Sequence, residues 1–209
     1  MTRQTIRSSR STITYSTLAL VAFWFSFCLP VQAQNKQGIV TIIIETDLGR
    51  IEADIDTLRA PATARNFLRY VDAGHYDGGR FHRTVKLDNQ PASNVKIEVV
   101  QAGVAASMEK VGFEPIKLER TNQTGVNHED GTLSMARGGP DSATSDFFIC
   151  IGPQPELDFD GKRNPDGQGF AAFGRVVKGM DIVRKIQTST AAGQKLTPPI
   201  AILRVRRKP

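Results

Sequence analysis

Short apolar runs that alternate with polar positions recur along most of this chain, and they predict a protein built mainly from β-strands. Residues 50–56 (RIEADID) alternate most clearly and place Ile51, Ala53 and Ile55 on one face. Residues 39–45 (IVTIIIE) precede them across a short turn and are rich in β-branched side chains, which favour strands. We therefore predict an antiparallel strand pair here.

The same pattern predicts further strands at residues 80–85, 97–103, 132–135, 147–151, 170–177 and 198–206. Two segments instead have the helical spacing of apolar residues. The first begins at Pro61 and ends before Gly74, and the second covers residues 180–186. Many short strands, two helices and no regular strand–helix alternation favour a barrel or sandwich closed by helices.

Residues 131–151 (GTLSMARGGPDSATSDFFICI) hold two of these strands, joined by small and turn-forming residues. Gly138, Gly139 and Pro140 force a sharp path with few side chains. Such a pair of strands would form the floor of a groove in which a peptide backbone lies close to protein backbone. An ordinary hairpin with a long loop is the alternative, and this stretch alone does not separate the two.

Two polar segments interrupt the strand pattern. Residues 86–96 (KLDNQPASNVK) are predicted to form an exposed insertion. Residues 152–169 are rich in Pro, Gly, Asp and Asn and are predicted to form a long loop. Loops of this length in a compact domain are usually functional or mobile.

Residues 1–33 have the features of an export signal. Arginines near the start are followed by an apolar stretch at residues 18–29 and by a small-residue cleavage site at residues 31–33. The apolar stretch is shorter than the roughly 20 residues that a membrane span needs. We predict cleavage after Ala33 and export to the periplasm or the exterior, with an uncleaved anchor as the alternative. The mature chain, residues 34–209, would form one domain without a membrane span.

Charge and cysteine content exclude several function classes. The chain has 27 Lys and Arg against 21 Asp and Glu, and three of the arginines lie in the predicted signal, so the mature domain is only mildly basic. No basic stripe with interleaved aromatic residues is present, and we expect no nucleic-acid function. Removal of Cys28 with the signal leaves Cys150 without an intrachain partner. We expect a monomer, since no long apolar patch is left over.

The usual catalytic patterns are missing. His75, His82 and His128 are scattered and lack metal-ligand spacing. The serines do not form a nucleophile-elbow pattern, and no phosphate-binding glycine loop follows a strand. We therefore expect neither a metal nor a cofactor.

Arg83 is the side chain that most needs an explanation. In a strand between Phe81 and Val85 it would share their apolar face, where an arginine is either paired with a carboxylate or presented to a ligand. Arginine is always charged and offers five donors in a planar fork. A surface arginine or a structural ion pair is the plainer interpretation, and the spacing alone favours it.

Several short motifs follow one another in a fixed order. They are residues 81–83 (FHR), 100–103 (VQAG), 133–136 (LSMA), 139–140 (GP), 145–149 (SDFFI) and 173–181 (FGRVVKGMD). Together they resemble the cyclophilin family of peptidyl-prolyl cis-trans isomerases over essentially all of the mature chain. The resemblance implies a mainly β fold, a closed eight-stranded antiparallel β-barrel capped by two α-helices. It also implies an enzyme that isomerises X-Pro bonds without a nucleophile, metal or cofactor.

The resemblance also implies roles for individual residues. Arg83 matches the catalytic arginine, and Gln101 matches the glutamine that hydrogen-bonds the substrate backbone. Phe148 and Leu157 match the floor and wall of the proline pocket. The other predicted substrate-binding residues are Val99, the backbone-presenting segment Ala136, Arg137 and Gly138, and Phe170, which would pack on the proline ring.

Departures from the family pattern cluster in the groove. They are Glu98 and Val99 in place of a Phe-Met pair, Arg137 in place of a common Asn, Asp146 in place of a Gln or similar residue, Phe170 in place of a frequent His or Tyr, and Glu156 near the Trp of cyclosporin-sensitive members. The pocket is therefore expected to lose an aromatic wall, for which Phe113 is a candidate replacement. Without the indole, cyclosporin binding is expected to be weak.

Two functions follow from these matches and departures. The first is a prolyl isomerase that acts on proline-containing segments of unfolded or exported proteins and assists their folding. The second is a proline-peptide-binding or chaperone module of the same fold, with weak or no isomerase activity, which Glu98, Val99 and Glu156 favour.

Overall fold

In this computed structural model, residues 1–2, 37–108 and 110–209 are described. The predicted signal, apart from its first two residues, lies outside them, so the cleavage site stays a prediction. Across the described ranges, no helix is long and apolar enough to cross a membrane.

The strands are β1 (Ile39–Thr46), β2 (Gly49–Asp56), β3 (Arg80–Val85), β4 (Val99–Gly103), β5 (Thr132–Met135), β6 (Phe147–Cys150), β7 (Ala171–Lys178), β8 (Ala191–Ala192) and β9 (Lys195–Arg207). The α-helices are α1 (Pro61–Asp72), the single turn α2 (Thr121–Thr124) and α3 (Met180–Thr188). Two further short turns of 3₁₀-helix cover Ala106–Met108 and Pro155–Leu157.

Eight of these strands close into an antiparallel barrel. Neighbours follow the order β1-β2-β7-β5-β6-β4-β3-β9, and β9 pairs again with β1. The short β8 lies beside β9, where a turn at Gly193 joins the two strands. The predicted closed eight-stranded barrel is confirmed, although β9 begins three residues earlier than predicted because of this added hairpin.

The barrel interior is filled by one face of each strand and by the apolar faces of two helices. Ile51, Ala53 and Ile55 of β2 are fully buried there, as their alternation predicts. Phe67 of α1 packs in the same cluster and lies 5.3 Å, ring to ring, from Phe147 of β6. Helix α3 adds its own apolar face, so α1 and α3 are the two predicted helices.

A second, smaller apolar cluster lies on the outer face of strands β3, β4 and β6. This outer cluster consists of Val85, Ile97, Val99, Phe148, Cys150 and Leu157. Leu157 comes from the 3₁₀ turn in the long loop, so the loop packs onto the strands at this point. The outer cluster forms the base of the candidate site.

Candidate active site

Strand register places the three central residues of the predicted site in one row. Arg83 of β3 is paired with Gln101 of β4, Gln101 with Phe148 of β6, and Phe148 with Ser134 of β5. Directly paired residues on one face of an antiparallel sheet have neighbouring side chains. Arg83, Gln101 and Phe148 are therefore brought together on the outer face of the barrel.

A β-bulge in β3 sets the direction of Arg83. The register shifts between Phe81 and Arg83 against both neighbouring strands. Phe81 is fully buried in the barrel interior, whereas Val85, which follows the bulge, belongs to the outer cluster. The prediction that Arg83 shares a face with both residues is therefore wrong for Phe81, because a bulge adds a residue and re-aims the side chain.

Neutral oxygen atoms hold the Arg83 guanidinium. Its Nε and Nη2 donate to Gln194 Oε1 at 2.9 and 2.6 Å, and its Nη1 donates to Gln101 Oε1 at 3.1 Å. Among the described carboxylates, none lies in ion-pair contact with it, so the structural ion pair considered above is not found. Burial lowers the pKa of Arg83 from its ordinary value, but an arginine remains charged at neutral pH.

Gln194 is a site residue that the sequence did not predict. It lies in the turn between β8 and β9, and its Nε2 donates to the Asn89 carbonyl at 3.0 Å, which fixes the amide that holds Arg83. No sequence pattern marks a polar residue in a short turn as part of a site. The role of Gln194 depends on the pairing of β3 with β9.

A concave pocket of about 240 Å³ opens beside Arg83. It is lined by Arg83, Ile97, Val99, Gln101, Ala136, Arg137, Phe148, Leu157, Arg163, Asn164 and Phe170. Every predicted site residue except Gly138 is in this lining. The Gly138 N–H donates to Ser142 Oγ at 3.1 Å, and its carbonyl accepts from Arg137 Nη1 at 3.3 Å. Its role as a substrate contact stays a prediction.

Phe148 and Phe170 form the aromatic part of the pocket. Their rings meet edge to face, with centroids 5.4 Å apart and an interplanar angle of 88°. Val99 and Ile97 supply an aliphatic wall next to them. The pocket therefore keeps a surface suited to a proline ring without the Phe-Met pair.

Glu98 and Phe113 both lie outside this pocket lining. Glu98, which immediately precedes β4, accepts a hydrogen bond from Gln187 Nε2 of α3 at 2.9 Å and so points away from the pocket that Val99 lines. The expectation that Glu98 alters the groove is therefore not supported by its position. Phe113 packs against Tyr70 of α1, 4.7 Å between ring centroids, and does not replace the missing aromatic wall.

A buried chain of polar groups supports Phe148 from behind. The His128 ring stacks on Phe148 at 6.0 Å; its Nε2 lies 2.9 Å from Ser134 Oγ and its Nδ1 lies 2.7 Å from Asp158 Oδ1. The order of groups is that of a Ser-His-Asp triad. Ser134 is fully buried and His128 is 1% exposed, and neither lines the pocket, so this chain acts as structural support.

Arg137 lies under the rim of the pocket. Its Nη1 and Nη2 donate to the two carboxylate oxygens of Asp166 at 2.8 and 2.9 Å, its Nε donates to the Gly169 carbonyl, and it lies over the Phe170 ring. The guanidinium lowers the pKa of Asp166 to about 2. The departure from the common Asn thus ties the loop before β7 to the pocket wall.

Arg163 is a second pocket residue that the sequence did not predict. Its Nη1 donates to Gln90 Oε1, Ser93 Oγ and the Val95 carbonyl at 2.9, 2.8 and 2.6 Å. Gln90 is only 3% exposed. The predicted exposed insertion at residues 86–96 is therefore wrong in part, because Arg163 and Gln90 bind it to the domain.

A larger cavity of about 580 Å³ adjoins the pocket on the other side of Arg83. His82, Asp146 and Lys195 are among its lining residues. Asp146 accepts a hydrogen bond from Gln101 Nε2 at 3.1 Å and lies 3.6 Å from His82 Nε2. Arg83 lines both cavities, so they adjoin each other at its side chain.

Solved structures show the same fold. A cyclophilin-type peptidyl-prolyl cis-trans isomerase of Cryptosporidium parvum matches with a TM-score of 0.65 and 20% identity, over 82% of this chain and 98% of that chain. The same parasite protein was also solved in the presence of the dipeptide Ala-Pro, with a TM-score of 0.65. At this identity the likeness concerns the fold.

Sequence comparison identifies the family. A peptidyl-prolyl cis-trans isomerase of Streptomyces antibioticus is 36% identical over 169 residues, which are 78% of this chain and 95% of that relative. One of Acinetobacter baylyi is 38% identical over 172 residues, 79% of this chain and 84% of that relative. The model of the cyclophilin type peptidyl-prolyl cis-trans isomerase/CLD family matches residues 41–207. With its barrel and pocket, this chain belongs to the cyclophilin-type peptidyl-prolyl cis-trans isomerase family.

Proposed function

We propose that this chain catalyses cis-trans rotation of X-Pro peptide bonds in exported proteins, with Arg83 as the catalytic residue. Rotation about a peptide bond has a barrier of ~18–20 kcal/mol because nitrogen lone-pair resonance must be broken. The cis and trans forms of an X-Pro bond are close in energy. A catalyst therefore has to stabilise only the twisted transition state.

The observation that carries this proposal is the fixed cation beside an apolar pocket. With the proline ring against Phe148, the Arg83 guanidinium would donate to the prolyl nitrogen as that nitrogen becomes pyramidal. This hydrogen bond is strongest in the twisted state, so it is differential binding of the transition state. Gln101 and Gln194 hold Arg83 without neutralising it, which keeps the charge available to the substrate.

Export is the second part of the proposal, and residues 1–33 support it. Slow X-Pro isomerisation, over tens to hundreds of seconds, limits the folding of chains outside the cytoplasm as well as inside it. We infer that the mature form acts there as a monomer. Cell fractionation followed by N-terminal sequencing tests this: a protein in the exported fraction that begins at Gln34 is expected, and a membrane-bound form that keeps residues 1–33 would favour the anchor.

A protease-coupled assay with a proline peptide tests the catalytic role. Arg83→Ala is expected to lower kcat/KM by roughly 100-fold to 1000-fold, the usual effect of losing one preorganised donor. Arg204→Ala is the matched control, since Arg204 is exposed on β9 and does not line the pocket. Equal activity of Arg83→Ala and the parent would exclude Arg83 as the catalytic group.

The alternative is a module that holds proline peptides without turning them over. The aliphatic wall of Val99 and Ile97 in place of an aromatic pair is the observation that favours it. NMR titration with an X-Pro peptide separates the two functions. Binding accompanied by faster cis-trans exchange supports the enzyme, whereas binding with unchanged exchange supports the module.

A further inference from the structure

The candidate pocket has an unusual balance of charge. Three arginines, Arg83, Arg137 and Arg163, line it, and no aspartate or glutamate is among its lining residues. Arg137 is paired through two hydrogen bonds with Asp166, so its charge is compensated. The other two guanidinium groups determine the electrostatic character of the pocket.

Only neutral oxygen atoms of the described residues accept hydrogen bonds from these two groups. Arg83 donates to the amide oxygens of Gln101 and Gln194. Arg163 donates through Nη1 alone to an amide, a hydroxyl and a carbonyl oxygen. The Nε and Nη2 donors of Arg163 make no hydrogen bond to the part of the chain that the structure describes. They remain available to a ligand in the pocket.

Three carboxylates near Arg83 and Arg163 have partners of their own, two on the long loop and one before β6. Glu156 accepts from the backbone N–H of Lys162 at 2.8 Å, and Asp158 lies against His128. Asp146 contacts Gln101 and His82 and lines the larger cavity on the other side of Arg83. Two cations thus share a small pocket without a carboxylate of their own.

The acid-base properties of Arg163 agree with this arrangement. Burial lowers the pKa of Arg163, and the neighbouring charge of Arg83 lowers it further. The two guanidinium groups therefore repel each other across a partly desolvated space. An anion placed near them would relieve this repulsion and could accept charge-assisted hydrogen bonds from the donors of Arg163 that make none to the described chain.

We propose that the pocket selects X-Pro segments in which a carboxylate side chain directly flanks the proline, and that Arg163 is the specificity-determining residue. Phe148 and Phe170 would receive the ring, while the flanking Asp or Glu accepts from Nε and Nη2 of Arg163. This inference rests on the proposed function, because it concerns the substrate of the same site. It assigns the long loop before β7 a role in choosing substrates.

Matched peptides test the selectivity directly. The purified protein is assayed with two pairs of peptides that differ only by Glu or Gln, placed immediately before the proline in one pair and immediately after it in the other. Hydrogen bonds to charged groups favour the Glu member of one pair by roughly tenfold in kcat/KM. Raising the ionic strength is expected to shrink this ratio. Equal rates within both pairs would overturn the proposal.

Three variants assign the effect to Arg163. Arg163→Gln removes the charge and is expected to bring the Glu/Gln ratio close to one. Lys162→Gln removes the same charge from the adjacent exposed residue and is expected to leave the ratio unchanged. Arg163→Lys keeps the charge in the pocket and is expected to retain most of the ratio. An unchanged ratio in Arg163→Gln, or an equal loss in Lys162→Gln, would overturn the assignment.

The design separates this inference from the proposed function. Isomerisation of the Gln peptides by the parent protein tests catalysis, and the Glu/Gln ratio tests selectivity. If no peptide is isomerised, the same pairs are compared by binding titration. Tighter binding of a Glu peptide that is lost in Arg163→Gln still supports the inference, and equal affinities reject it.

Discussion

The two walls of the pocket are built in different ways. One wall consists of strand residues, among them Arg83, Gln101 and Phe148, whose positions follow from the register of β3, β4 and β6. The other wall comes from the long loop and carries Leu157 and Arg163. Hydrogen bonds between paired strands fix the first wall. Hydrogen bonds within the loop, such as that from Arg163 N–H to the Glu156 carbonyl at 3.1 Å, and the side-chain contacts of Arg163 hold the second. The strand wall thus holds the proposed catalytic group, and the loop wall holds the group proposed to select substrates.

A paired substitution of aromatic residues gives the strongest test of this difference. Phe148 on the strand wall is 5% exposed, and Phe148→Ala is expected to lower the free energy of unfolding by about 3 kcal/mol, because it removes a buried ring from the outer cluster. Phe170 is only partly buried, so Phe170→Ala removes less buried apolar surface. We expect it to lower the free energy of unfolding by about 1 kcal/mol less than Phe148→Ala does. Urea unfolding measures both variants. Equal losses would mean that the loop wall is as firmly packed as the strand wall.

The His128 chain connects the two walls, and its removal should have the next largest effect. His128→Ala leaves the buried Ser134 hydroxyl without its partner and frees Asp158 on the loop, so we expect a loss of about 2 kcal/mol in the free energy of unfolding. Ser134→Ala is the control and is expected to cost about 1 kcal/mol, since it deletes a single hydrogen bond. If both variants cost the same, the contact of His128 with the loop contributes nothing measurable.

Gln90 tests how the insertion at residues 86–96 is held. Its Nε2 donates to the carbonyls of Lys86 and Ile97 at 2.7 and 2.8 Å, and its Oε1 accepts from Arg163. Gln90→Ala is expected to cost about 1 kcal/mol and to speed hydrogen exchange in the insertion while the barrel strands stay protected. Asn94→Ala, at an exposed position, should change neither quantity. Faster exchange throughout the barrel would contradict a locally held insertion.

The smallest effect concerns the ion pair on the loop wall. Arg137 lowers the pKa of Asp166 to about 2, from an ordinary value of 3.8. A lowered folded-state pKa means that the stabilisation is complete above about pH 4 and is lost as the pH falls through about 2. NMR titration of the Asp166 carboxyl measures the value directly. In Arg137→Gln the pKa should rise towards 3.8, and an unchanged pKa would show that the pair does not cause the shift.

The sequence predicts the strand wall better than the loop wall for a physical reason. Alternation along β2 and the order of the motifs predict where the strands lie. Within each strand, alternate side chains then lie on the same face of the sheet. The sequence predicts the wrong face for Arg83 relative to Phe81, because a bulge cannot be recognised from hydrophobic alternation. Gln194 and Arg163 were missed because their roles come from contacts with residues more than 65 positions away in the chain, which no local pattern encodes.

The departures from the family pattern illustrate the same limit. The sequence predicts Glu98 to be a change in the groove, but its side chain points to Gln187 on α3. Arg137 looked like a backbone contact, and its side chain instead forms the ion pair with Asp166. Whether Gly138 contacts substrate stays a prediction. Substitutions at strand positions can thus be interpreted by face, whereas those in loops require the partner to be known.

The closure of the barrel has a consequence for the order of events during synthesis. Strand β1 pairs with β9, and Ile42 lies opposite Arg207, 165 residues further along the chain. A ribosome releases β1 long before its second partner, so one edge of β1 stays open until β9 has also emerged. Pairings between residues so distant in sequence make folding slow and leave strand edges exposed. The nascent domain therefore carries an exposed strand edge, a site where another chain could pair, until β9 has emerged.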